Sequence, residues 1–175
     1  MEENLEAPTV KSLAMKWGLI MGLISIGFFL IIALGGFQGN SAMQWIGLIP
    51  TIVVIYLAHK EFKDSGDGYM SYGQGLGMGT LISLISSIIS TAFFFIYVKF
   101  IDGTYIDAIK DAQLTQFQEQ GMSDSEIEAA MSMSEGFMTP GVMAVFAIVF
   151  AVFAGFVVSL IVSAITKNSN PELDY

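Results

Sequence analysis

A chain of 175 residues that is 54% hydrophobic and only 13% charged does not read as a soluble domain, in which about a quarter of the residues are Asp, Glu, Lys and Arg. With no Cys, no Arg and one His, disulfides, thiol catalysis, Cys-bound metals and the bidentate arginine fork are excluded. A formal charge of −9 without any basic cluster argues against nucleic acid as a partner.

The charges fall in short stretches separated by long apolar runs, which predicts an all-α integral membrane protein with four transmembrane helices and a short helical extracytoplasmic loop. Residues 1–175 form one membrane domain, with spans at 17–34, 43–58, 76–98 and 141–165. The leader MEENLEAPTVKSLAMK brings Lys11 and Lys16 up to the first span. That span is longer than the ~7–15 apolar residues of a signal-peptide core and no A-x-A site follows it, so it reads as an uncleaved anchor. The turn GGFQGNSA leads to the second span, where Pro50 removes a backbone N–H and crowds the preceding turn. A kinked helix extended to Phe62 fits there, and a re-entrant segment is the alternative. The charged turn HKEFKDSGDGYMSYGQ ends with Ser71 as N-cap of the third span. The outward loop, 99–141, holds two helical patterns, one over 105–118 and one opened by the capping box Ser123-Asp-Ser-Glu126, with Met122 and Ile127 as its staple. Thr139 and Pro140 then cap and open the fourth span.

Small residues recur every fourth position on the last two long spans. Gly75, Gly79, Ser83, Ser87 and Thr91 mark the third, and Ala147, Ala151, Gly155, Ser159 and Ser163 the fourth. In lipid, helices associate where small residues let backbones approach, so these ten are the predicted helix-packing sites. A four-residue spacing overshoots the ~3.6-residue turn, which limits close contact to two or three rungs near a crossing.

Lysines near the spans predict the threading. Lys11, Lys16, Lys60, Lys63 and Lys167 share one side and Lys99 and Lys110 the other, which puts both termini in the cytoplasm and the acid-rich loop outside. Trp17 and Trp45 fall at opposite interfaces under this threading.

The run GYMSYGQGLGMG before the third span, YVKFID after it and QGMSDSEIEAAM before the fourth resemble the Domain of Unknown Function 4199 family, small four-span membrane proteins of the Bacteroidetes. The likeness covers nearly the whole chain, although Gly103 stands where the family often has Pro. It implies four spans in a bacterial inner membrane, and brings no activity or catalytic residues with it.

Candidate chemistry is sparse. The glycines at 73, 75, 77 and 79 miss the register of a dinucleotide fingerprint, since Met78 and Thr80 occupy the third-glycine positions, and no Lys follows for a phosphate loop. The hydroxyls of Ser83, Ser86, Ser87, Ser90 and Thr91 suit back-bonding or helix contacts, with a solute path as the alternative. Met122, Met131, Met133 and Met138 among the loop acids do not converge on a metal. His59 shows no nucleophile or orienting group nearby and reads as an interfacial residue. The expectation is therefore a non-enzymatic inner-membrane interaction or scaffold component, without catalytic residues, cofactor or metal. Its partners are the lipid bilayer and either itself or another membrane protein, and a small transporter or channel component is the alternative.

Overall fold

Thr9 opens the first helix, α1 (Val10–Gly35), by accepting from the Ser12 amide, while the Ser12 hydroxyl bonds back to the Thr9 backbone. The helix thus starts well before the apolar run, inside the polar leader. The structure, a computed structural model, describes residues 8–170; positions 1–7 and 171–175 of leader and tail lie outside the described residues. Gly36, at φ 68°, closes α1 in the left-handed conformation that glycine tolerates.

The second span is two helices, α2 (Ser41–Ile46) and α3 (Leu48–Asp64), interrupted at Gly47. Pro50 supplies no N–H to the Ile46 carbonyl four residues earlier, so the ladder parts one turn before the proline. Beyond it α3 runs on to Asp64, and Ser41–Asp64 together is long and apolar enough to cross a membrane.

Helix α4 (Tyr72–Ile96) is capped by Ser71, whose side chain accepts from the Gln74 amide while Gln74 reaches back to the Ser71 amide. A π-helical turn, Tyr97–Ile101, extends it. Two amphipathic helices follow, α5 (Tyr105–Glu119) and α6 (Asp124–Glu135), and then α7 (Pro140–Thr166), with Pro140 in its first turn. Four segments, Val10–Gly35, Ser41–Asp64, Tyr72–Ile101 and Pro140–Thr166, have the length and hydropathy of membrane spans. The described residues form named helices and no named strand, so the protein is an all-helical, multi-pass membrane protein with a helical connection between its third and fourth spans.

Helix α4 is the centre of the bundle, packing most extensively on α1 and α7. It runs parallel to α1 because the second span returns the chain to the end where α1 began. Against α1, the side chains of Ile85 and Ile89 fill the space left by Gly18 and Gly22, where a methyl group would stand 2.8–3.0 Å from their branched carbons. That Gly-x-x-x-Gly pair is a packing motif the ladder pattern of the later spans overshadowed. At the end away from the termini, Phe29 of α1 sits in an aromatic cluster, with ring centroids 5.0 Å from Tyr97 and 5.3 Å from Tyr105.

Candidate functional site

The seam between α4 and α7 is antiparallel and its mating rungs are Gly75 with Ser163, Gly79 with Ser159, and Ser83 with Gly155. Each pairs a glycine with a serine, alternating between helices for the last of the three. A methyl group at Gly75 would stand 2.8 Å from Ser163 Oγ; at Gly79 it would meet Ser159, and at Gly155 it would overlap Ser83. All five small residues of α4 are buried, with Ser87 and Thr91 continuing the row. Of the five α7 ladder positions, Gly155, Ser159 and Ser163 are buried, Ala151 is half-buried and Ala147 is exposed. The helices meet over three rungs at the end carrying the termini and part toward the other.

Where they part, two cavities open. One of about 270 Å³ lies at mid-bundle, lined among others by Ser25, Thr51, Ser83, Ser87 and Ser90. The other, about 310 Å³, is more apolar and lies between Phe28, Phe29, Pro50, Thr91, Phe94 and Ala147. The serine hydroxyls of α4 already donate to their own helix: Ser83 to the Gly79 carbonyl at 3.0 Å, Ser86 to Ser83 at 3.1 Å, Ser87 to Leu84 at 2.8 Å and Ser90 to Ser87 at 3.2 Å. Those hydroxyls face the cavity as acceptors, and no charged residue lines either space.

The narrow end is held by polar bonds between elements far apart in sequence. Glu61 of α3 binds Lys16 at 2.6 Å and the Trp17 indole N–H at 2.8 Å, tying α3 to α1. Lys63 donates to the Thr166 carbonyl at 3.0 Å. Met70 and Asn168 exchange two backbone hydrogen bonds, and the Asn168 amide side chain donates to Gly68. At the centre of this end, His59 is fully buried. Its Nδ1 lies 2.8 Å from Thr166 Oγ1 on α7 and its Nε2 3.0 Å from the Gly75 carbonyl on α4. The sequence placed His59 at a membrane edge without partners; the structure seats it inside the bundle with two. Its partners lie 16 and 107 residues away, so no local pattern could have named them.

At the wide end, α5 and α6 stand over the bundle. Tyr105 is buried at the start of α5, where loss of hydration raises its phenol above the ordinary range and the nearby Tyr97 and Asp102 add to that. Asp107, Asp111, Glu119, Asp124, Glu126, Glu128 and Glu135 are all exposed, with Lys110 3.9 Å from Asp107. Glu126 accepts from the Ser123 hydroxyl at 2.7 Å and its amide at 2.8 Å, and those bonds hold the carboxyl below its usual value. Met131 and Met138 line one surface hollow with Glu128 and Glu135, and among the described residues no group of three or more acids and His is placed to hold a metal ion.

A family model described as "Protein of unknown function (DUF4199)" matches residues 16–168, nearly the whole chain. No curated protein matches, and no solved structure does.

Proposed function

The chain belongs to the DUF4199 family, and from that footing we propose that it is a non-enzymatic interaction component of a bacterial inner membrane, with both termini in the cytoplasm and the α5–α6 pair outside as its docking surface. The observation that carries this reading is the charge of that pair: seven exposed carboxylates around a single lysine. Two large apolar side chains, Met133 at 77% exposure and Phe137 at 58%, stand bare beside them. An apolar centre within a one-signed field suits a partner protein with a basic, apolar-cored surface, because such fields steer encounter and reject like-charged competitors. The small-residue ladder serves the bundle's own α4–α7 seam, which leaves docking to the cap.

A cross-linking residue at Met133, activated in native membranes, tests this. A reproducible protein adduct that disappears with Glu128→Gln and Glu135→Gln supports the reading. Capture unchanged by those substitutions, or no adduct at all, overturns it.

The second reading, a small transporter or channel component, is favoured by the hydroxyl-lined cavity at mid-bundle beside the broken second span. Solute flux through the purified protein in liposomes, abolished by filling that cavity with Ser87→Leu, would favour it instead.

A further inference from the structure

His59 is the fully buried imidazole of this bundle, and an ionisable group within a span is a functional candidate with its partner to be named. The hydrogens around it can be counted. The Gly75 carbonyl only accepts, so Nε2, 3.0 Å away, carries a hydrogen. Thr166 has one hydroxyl hydrogen, and its Oγ1 lies 2.8 Å from the Val162 carbonyl and 2.8 Å from Nδ1. With that hydrogen on the Val162 carbonyl, Nδ1 must donate to Oγ1 and the ring is an imidazolium. With it turned to Nδ1, the ring is neutral and the Val162 carbonyl keeps only its helical partner.

We infer that His59, Thr166 and Gly75 form a proton-binding site at which uptake of one proton on Nδ1 turns the Thr166 hydroxyl from the imidazole back to its own helix. The proton comes from hydronium at the adjacent membrane face: its O–H bond breaks as the Nδ1–H bond forms, and water is left behind. In both states α3 holds α4 and α7, but the direction of donation between α3 and α7 reverses. The surrounding charges belong mainly to α3 and to the turns at this end. Lys63 is bound to the Thr166 carbonyl, and Glu61 is turned to Lys16 and Trp17 of α1. Lys167 follows α7, and Asp67 and Tyr69 lie in the α3–α4 turn. The first turns of α4 bring no charge, only the Tyr72 phenol, whose hydroxyl donates toward the Leu160 carbonyl at 3.4 Å. The site stands apart from the acidic cap, and its failure would leave the docking reading untouched.

Because the chain has one histidine, selective ¹⁵N-histidine labelling of the full protein in lipid nanodiscs gives a single imidazole to follow. The expected spectrum keeps Nε2 protonated throughout, while Nδ1 passes from acceptor to protonated as pH falls from about 8 to about 5. Thr166→Val should remove the hydrogen-bond signature at Nδ1 and leave that at Nε2, and Thr166→Ser should restore it. A ring that keeps one protonation state across that range overturns the inference, as does an Nδ1 signal indifferent to Thr166→Val. The titration of the parent protein is decisive even where a variant fails to fold.

Discussion

Ser83 and Gly155 meet on the seam of α4 and α7, and the room at that rung is what only a hydrogen side chain leaves. Lipid tails are as apolar as Leu, so packing and close approach, rather than burial from water, hold such a rung together. Gly155→Leu is expected to force the helices apart and lower detergent stability by about 1–3 kcal/mol, as overpacking does in cores. Val157→Leu is the control, since Val157 is exposed on the same helix. Ala147→Leu should also be mild, because Ala147 is exposed and borders the cavity. Thermal unfolding of the three variants checks the order, and equal losses at Gly155 and Val157 would remove the seam from the account. On α1, Gly18→Leu should destabilise as Gly155→Leu does, because it would collide with Ile85.

Helix α6 tests whether a whole element rests on its first turn. Ser123→Ala removes the hydroxyl that binds Glu126 and should lower amide protection over residues 124–133 roughly fivefold, the size of a lost N-cap. The Glu126 carboxyl is held below its ordinary value, so its contribution is present above the unfolded-state pKa and fades as pH falls through the folded-state one. Protection factors for α6 should therefore hold from neutral pH down to about pH 4 and fall below it in the parent, with no such fall in Glu126→Gln. Residues 124–133 already unprotected in the parent would sink both expectations. The capping signals at Ser71, Ser123 and Thr139 were readable in sequence because a cap is a matter of three or four neighbouring residues. The length of α1 was not, since its first turns are polar and hydropathy marks only the apolar part. The second span shows the same limit: Pro50 announced a break, but its place at Gly47 depends on which carbonyl loses its donor. His59 lay beyond reach altogether, because burial by α4 and α7 is a tertiary fact.

The two ends of the molecule differ in chemistry. Five of the lysines, Lys11, Lys16, Lys60, Lys63 and Lys167, belong to the end where α1 starts and α7 finishes, and the seven exposed cap acids to the other. Cysteine accessibility reads which end faces the cytoplasm, since the chain has no native Cys. New cysteines at Ser65 and Ser169 should resist an impermeant reagent in intact cells while one at Ser125 reacts, all three positions being exposed on the protein. Labelling at Ser65 with protection at Ser125 would invert the threading. The seam also sets an order of assembly. Its halves sit on the third and fourth spans with the 99–141 connection between them, so α4 can settle on α1 through Gly18 and Gly22 long before α7 has been made. During that interval the glycines and serines of α4 lie open to the bilayer. A nascent chain halted before Pro140 would display that bare stripe, and α7, made after it, is the helix that covers it.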